Sequence, residues 1–119
     1  MKIRIKGDTV RYRLTRPEVE DFALNGIIKE ETHFNSKTLT YVLQKSNDSR
    51  IRIDFTGDTI TVLMPEKMAR EWTGSERVGF ENDQDVPAVY IEKDFKCLDN
   101  VAEDQRDNYS NPLAEHSHD

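Results

Sequence analysis

The sequence is poor in cysteine and in long apolar runs, and both absences restrict the class of protein. Its single cysteine among 119 residues is Cys97, so no disulfide can form within the chain. No segment reaches the roughly 18 consecutive apolar residues that a membrane-spanning helix needs. Residues 1–6 alternate apolar and basic side chains where a signal peptide would have an apolar run. We therefore expect a cytoplasmic protein that does not enter a membrane.

Short motifs of the common catalytic sites are also absent from the sequence. There is no Gly-x-Ser-x-Gly, no phosphate-binding loop and no Gly-x-Gly-x-x-Gly. His33 lies between Thr32 and Phe34 in a predicted strand, which favours a surface or hydrogen-bonded imidazole. Glu30 and Glu31 are adjacent in that strand and so lie on opposite faces, where they cannot act as a pair. The sequence therefore predicts a protein that is not an enzyme and that needs no cofactor.

Residue types that bind transition metals occur near the end of the chain, at Cys97, His116 and His118. One cysteine and a terminal His-x-His do not supply the paired ligand sets of a structural zinc site. The carboxylates between them lack the spacing and the glycine of a helix-loop-helix calcium loop. We predict no metal site and assign no role to these three side chains.

Length and charge indicate a small folded domain with an acidic tail. The apolar and charged fractions are nearly equal, at 35% and 34%, and the formal net charge is −6. This balance argues against a surface that binds phosphates throughout, because nucleic-acid-binding domains are usually basic. We predict one domain over residues 1–98, with one repeat in 1–49 and the other in 50–98. Residues 99–119 hold six acidic side chains against one arginine and are predicted to form an acidic, partly disordered tail.

One stretch of the sequence occurs twice, about fifty residues apart. Residues 3–10 and 51–60 share alternating apolar positions, and each contains a Gly-Asp-Thr triplet, at Gly7 and at Gly57. Alternation is the period of a half-buried strand, and a Gly-Asp pair tolerates the positive φ of a hairpin turn. The apolar positions continue to match through the predicted helix that follows each copy. We interpret the two halves as an internal duplication.

Each half has the pattern of two strands, a helix and two more strands. In the first half, Thr15 and Glu18 are positioned as a capping box, and Gly26 ends the helix. In the second half, Pro65 and Gly74 mark the two ends. We predict an α+β fold in which two strand-strand-helix-strand-strand repeats form a small, mostly antiparallel barrel around a pseudo-twofold axis. Five aromatic residues are expected in its core: Tyr12, Phe22, Trp72, Phe80 and Tyr90.

Basic residues occupy the polar positions of the first two predicted strands and the start of the second half. If the first strands of the two halves lie side by side, these cations form one face that can bind phosphate or another anion. The alternative is a solvated face whose cations pair with acidic neighbours, including the acidic tail. The candidate anion-binding residues are Lys2, Arg4, Lys6, Arg11, Arg13, Arg50 and Arg52.

Six segments spread along the chain carry a resemblance to a known family: residues 1–7, 30–34, 40–46, 78–81, 92–99 and 103–109. Together they resemble a small bacterial family of unknown function. The resemblance implies no activity, cofactor or catalytic residue. The last residues of this chain, 114–119, depart from the usual endings of that family.

A second resemblance concerns residues 60–74, in which a strand ending at Pro65 leads into a short helix, followed by strands at 78–81 and 89–91. This order is similar to the AbrB-like swapped-hairpin DNA-binding domains of transition-state regulators and antitoxins. The resemblance implies one barrel built from two such units and basic residues that contact the DNA backbone. The first half departs from the pattern at the residues before Pro17.

Two functions from different classes fit these features. The first is a non-catalytic intracellular binding or interaction module for a protein or small-molecule partner. The second is a nucleic-acid-binding regulator that uses the basic strand face. The net negative charge disfavours the second, because it repels DNA before any local patch makes contact.

Overall fold

The computed structural model describes residues 1–95, which form eight strands and two helices. In chain order they are β1 (Lys2–Lys6), β2 (Thr9–Leu14), α1 (Arg16–Asn25), β3 (Ile27–His33), β4 (Thr38–Ser46), β5 (Arg52–Thr56), β6 (Thr59–Pro65), α2 (Glu66–Gly74), β7 (Gly79–Asn82) and β8 (Ala88–Lys93). The predicted order of elements is confirmed in both halves. The predictions about the tail, Cys97, His116 and His118 lie outside the described residues.

The strands form two four-stranded sheets, each with one hairpin from each half of the chain. Sheet 1 has the order β1-β2-β8-β7, and sheet 2 has the order β3-β4-β6-β5. Hairpin neighbours are antiparallel, whereas β2 pairs with β8 and β4 pairs with β6 in parallel. The predicted α+β class with mostly antiparallel strands is confirmed, although each sheet is mixed.

The predicted barrel is not closed. Within residues 1–95 no backbone ladder joins the two sheets, whose edge strands are β1 and β7 in one and β3 and β5 in the other. The edges are connected through side chains instead. The ammonium of Met1, which precedes β1, bonds the carboxylate of Glu30 on β3 at 2.8 Å. The Asn82 amide of β7 donates to the carbonyl of Ile51, which precedes β5, at 2.8 Å. Met1 and Ile51 are both buried at these edges.

The two halves occupy corresponding places in this arrangement. The strands β1, β2, β3 and β4 correspond to β5, β6, β7 and β8. When each strand is exchanged with its counterpart, the order of sheet 1 becomes β5-β6-β4-β3, which is the order of sheet 2. The strands β2 and β6 have the same alternation of half-buried and buried positions. Phe22 of α1 and Trp72 of α2 lie fifty residues apart, and both are fully buried. An origin by duplication stays a prediction.

Local sequence explains the turns and the helix ends. Gly7 and Gly57 have φ of 52° and 54°, in the left-handed region that glycine adopts without a steric penalty, and each allows a tight hairpin. The Glu18 carboxylate accepts hydrogen bonds from the backbone N–H and the hydroxyl of Thr15, at 2.8 and 3.0 Å. Gly26 ends α1 with φ of 75°. The predicted hairpins and the predicted ends of α1 are therefore confirmed.

The core lies between the two sheets and under the two helices. Phe22 and Trp72 meet edge to face with their ring centroids 6.1 Å apart, which joins α1 to α2. Tyr12 of sheet 1 packs on Tyr41 of sheet 2 at 6.1 Å, and its hydroxyl donates to the Ile60 carbonyl at 3.1 Å. Tyr12, Phe22 and Trp72 are fully buried, and each contributes on the order of 2–3 kcal/mol of hydrophobic stabilisation.

Candidate anion-binding face

The outer side of sheet 1 carries the largest group of the predicted anion-binding residues. Strand pairing places Arg4 directly opposite Arg11, and Lys2 directly opposite Arg13. Lys6 faces Thr9 at the hairpin end. Partners in an antiparallel pair project on the same side of the sheet. We call the surface formed by Lys2, Arg4, Lys6, Arg11 and Arg13 the cationic face.

Strand β8 completes this surface. Its parallel pairing with β2 sets Tyr90 beside Arg11 and Glu92 beside Arg13. The Arg11 guanidinium carbon lies 4.7 Å from the centre of the Tyr90 ring, which is cation–π contact. A shallow depression of about 300 Å³ lies on this face. It is lined by Arg4, Lys6, Thr9, Arg11, Arg13 and Tyr90.

Carboxylates pair with only part of the cationic face. Glu92 accepts from Arg11 Nη1 at 3.2 Å and from Arg13 Nε at 3.4 Å. Lys2 Nζ lies 2.9 Å from a carboxylate oxygen of Asp94. Arg4 and Lys6 are exposed and form no ion pair with any other side chain of residues 1–95. The charges of Arg4 and Lys6 on β1 are thus uncompensated by the described part of the chain.

The two paired arginines keep donors available on this surface. A guanidinium has five N–H donors. Within residues 1–95, hydrogen bonds engage only Nη1 of Arg11 and Nε of Arg13. The remaining N–H groups are free of partners in that part of the chain, while Glu92 and Tyr90 restrict where the two side chains can point. Arg11 and Arg13 are about one third exposed, at 29% and 33%.

Arg50 and Arg52 do not belong to the cationic face, contrary to the prediction of one continuous surface. The first strands of the halves, β1 and β5, are edge strands of different sheets and do not lie side by side. Arg50 lies 3.6 Å from Asp85, and Arg52 lies 3.2 Å from Asp48. These two cations fit the alternative interpretation, in which surface charges pair with acidic neighbours.

The aromatic prediction was wrong for Tyr90, which lies on the outer face instead of in the core. In β8 the inward positions belong to Val89 and Ile91, which are 2% and 0% exposed. The sequence signal for this placement is the alternation around Tyr90, which sets it and Glu92 on the polar side. The position of β8 beside β2 had no such local signal, so Tyr90, Glu92 and Asp94 were missed as neighbours of the cations.

A second charged cluster surrounds the ammonium of Met1, which bonds Glu18 and Glu30. Burial lowers the pKa of this ammonium, but the two carboxylates outweigh burial and leave it above the ordinary value of 8.0. Burial raises the pKa of the Glu18 carboxyl, but bonds from Met1 and Thr15 leave it below the ordinary value of 4.5. The cluster is a partly buried ion-pair network that connects the residue before β1 with α1 and β3.

Other residues considered from the sequence show no such convergence. His33 is exposed at the end of β3. Glu30 bonds Met1 toward the interior, whereas the adjacent Glu31 lies on the opposite side of the strand. Among residues 1–95, no three or more His, Cys, Asp and Glu side chains are grouped so that they can hold a metal ion.

The formal charge divides unevenly along the chain. Residues 1–95 contain fifteen lysine and arginine residues against seventeen acidic residues. Residues 96–119 contain two against six. The part that contains the cationic face is therefore nearly balanced, at −2, and most of the net charge of −6 comes from the end of the chain.

Comparison with models of protein families shows which family the chain belongs to. Residues 1–113 match the model of a family of unknown function, DUF7009, and the protein belongs to that family. The comparisons with curated proteins and with solved structures gave no match. Neither helix in residues 1–95 has the length and apolar character needed to cross a bilayer.

Proposed function

We propose that this protein is a non-catalytic intracellular binding module whose ligand is an anion held on the cationic face. The observation that carries the proposal is the pair of Arg4 and Arg11, which lie directly opposite each other on neighbouring strands. Like charges in that position destabilise a sheet. No carboxylate of residues 1–95 compensates Arg4. An anion bound between the two guanidinium groups removes the repulsion and gains charge-assisted hydrogen bonds.

The depression supports the same function. Its volume of about 300 Å³ is at the lower end of the range of small-ligand sites. Four of its six lining side chains are cationic, and none is acidic. The corresponding positions on β5 and β6 differ in charge, since Asp54 stands fifty residues after Arg4 and Thr61 fifty residues after Arg11. The asymmetry supports anion binding on sheet 1 and not on sheet 2.

The second candidate is a nucleic-acid-binding regulator of the AbrB-like type. One observation favours it: each sheet combines a hairpin from one half with a hairpin from the other. That arrangement supports a pseudo-twofold duplication of strand-strand-helix-strand-strand units, as the resemblance implies. In this proposal the cationic face contacts the phosphate backbone of a duplex, and the near-neutral charge of residues 1–95 removes part of the electrostatic objection.

Titration with inorganic phosphate and with duplex DNA tests both candidates. Amide resonances are followed by NMR at about 50 mM and 200 mM salt, where phosphate contacts weaken as salt rises. We expect shifts in β1 and β2 that are lost in Arg4→Glu and retained in Arg70→Glu, an exposed helix position with the same change of charge. Absence of duplex binding at low salt excludes the regulator. If neither phosphate nor duplex DNA shifts the resonances of β1 and β2, the proposal of an anion-binding module is contradicted.

A further inference from the structure

The shape of the cationic face restricts its ligand, and this inference rests on the function proposed above. We propose that the face binds a compact oligophosphate, a chain of two or three linked phosphate groups, in preference to single phosphates or to a long phosphate backbone. Inorganic diphosphate and triphosphate carry this group, and so do nucleoside diphosphates and triphosphates. The argument depends on the spacing of the cations, on the acidic border around them and on their free donors.

The cations are closely spaced along a diagonal of the sheet. The outward-facing pairs of the β1-β2 hairpin form three successive levels. The first level holds Arg13, the second holds Arg4 and Arg11, and the third holds Lys6. Successive levels are about 6.8 Å apart, because each strand residue advances about 3.4 Å. Neighbouring strands are about 4.8 Å apart. The four side chains line one depression. Several linked anionic groups are needed to contact all of them, since a single phosphate cannot span the levels.

Acidic side chains border the depression on the side of β7 and β8. Glu92 lies beside Arg13 on β8, and the exposed Glu81 of β7 lies opposite Tyr90 on the same side of the sheet. Asp94 follows β8 and pairs with Lys2 at the other end of the face. A duplex laid across this four-stranded sheet brings phosphates over Glu81 and Glu92, where like charges repel. A compact ligand stays on the β1-β2 side and avoids them.

The donors on this side suit phosphate oxygens. Arg11 is held between the Tyr90 ring and the Glu92 carboxylate, so its unengaged N–H groups are already oriented. Guanidinium groups contact phosphate through two parallel N–H donors, which a point charge does not do. Arg4 and Lys6 are exposed on the edge strand and can adjust to the second or third phosphate group. The face thus combines a fixed side with an adaptable side.

Titrations with five probes test this inference: inorganic phosphate, diphosphate, triphosphate, a nucleoside triphosphate and a duplex of about 20 base pairs. Each is measured by calorimetry at about 50 mM salt, with the duplex supplied at equal phosphate concentration. We expect triphosphate to bind at least about tenfold more tightly than phosphate. Arg4→Glu should weaken it by at least about tenfold, while the charge-matched Arg70→Glu should leave it within about twofold. Fluorescence of Trp72 verifies that each variant is folded.

The outcomes separate this inference from the function on which it rests. The inference is supported if a nucleoside triphosphate binds at least as tightly as inorganic triphosphate. If the nucleoside triphosphate binds more tightly, the ligand is a nucleotide and not an inorganic oligophosphate. Equal affinity for phosphate and triphosphate overturns it, and so does tighter binding of the duplex. In both of those cases the proposed function, anion binding on the cationic face, is not contradicted. If none of the five probes binds, the inference and the proposed function are both wrong.

Discussion

Arg4→Glu is expected to make the free protein more stable while it removes anion binding. Arg4 faces Arg11 across the β1-β2 pair, so the wild-type chain has a like-charge pair at that position. A glutamate there replaces repulsion with attraction to Arg11. A surface side chain at an edge strand should usually have little effect on stability, so a gain of stability specifically reports the uncompensated charge.

The magnitude follows from the cross-strand geometry. Directly opposed pairs contribute roughly 0.2–1 kcal/mol, stabilising for opposite charges and destabilising for like charges. Charge reversal gains from both effects, but Arg4 is exposed, and Arg11 already pairs with Glu92. Solvent screening therefore limits the gain to about 0.5–1 kcal/mol. For a domain of this size, that gain corresponds to an increase in Tm of about 2–8 °C.

Thermal and urea unfolding measure this change. Trp72 is the single tryptophan and is fully buried, so its emission reports loss of the core. Arg4→Gln removes only the repulsion and should give about half the gain, whereas Arg4→Lys keeps the repulsion and should give none. The gain should shrink between about 20 mM and 500 mM salt. If Arg4→Glu is no more stable than the wild type at the lower salt concentration, the like-charge argument is refuted.

Three further predictions concern the interior and the end of the chain. Glu18→Gln should lower stability by about 1 kcal/mol at neutral pH. The pKa of Glu18 is lowered on folding, so its contribution exists above its ordinary value and is lost as pH falls through the lowered one. The pKa of the Met1 ammonium is raised, so its contribution is present below pH 8.0 and is lost as pH rises through the raised value. Urea unfolding across this pH range checks both signs, and a difference between variant and wild type that does not depend on pH would contradict them. Tyr12→Phe should cost about 1–2 kcal/mol because it removes the buried hydrogen bond to the Ile60 carbonyl, whereas Tyr90→Phe, on the outer face, should stay within about 0.5 kcal/mol. Equal costs in urea unfolding would refute a stabilising role for the buried hydroxyl of Tyr12. Deletion of residues 99–119 changes the formal charge from −6 to about −1 and should raise triphosphate affinity severalfold at low salt, with a smaller effect at high salt. Unchanged affinity at low salt would show that the tail does not influence the face.

The elements and turns could be predicted because their signals are local. Positive φ at Gly7 and Gly57 follows from glycine chemistry, and the capping residues of α1 specify where that helix starts and stops. Alternation also identified which side of β1 and β2 is polar. These features depend on residues a few positions apart, and sequence order alone brings such residues together.

The composition of the candidate site could be predicted only in part. The cations of β1 and β2 were identified because one hairpin contains them. Their neighbours Tyr90 and Glu92 lie about eighty residues away, on a strand whose parallel partner has no local signal. The same limit explains why the sequence could not show that Arg52 lies away from these cations, on a strand that pairs within the other sheet. Closure of a barrel depends on whether distant edge strands meet, and no local signal in the sequence shows this.

The exchange of hairpins between the halves has a consequence for how the chain acquires its structure. A lone two-stranded hairpin is only marginally stable in water. Neither half contains two hairpins that pair with each other, since β2 needs β8 and β4 needs β6. During synthesis, β2 (residues 9–14) therefore cannot pair with β8 (residues 88–93) until the end of the second half has been made. Pairing between such distant strands slows folding. Two fragments divided between Ser46 and Ile51 should remain unstructured when separate and should assemble into one folded particle when mixed.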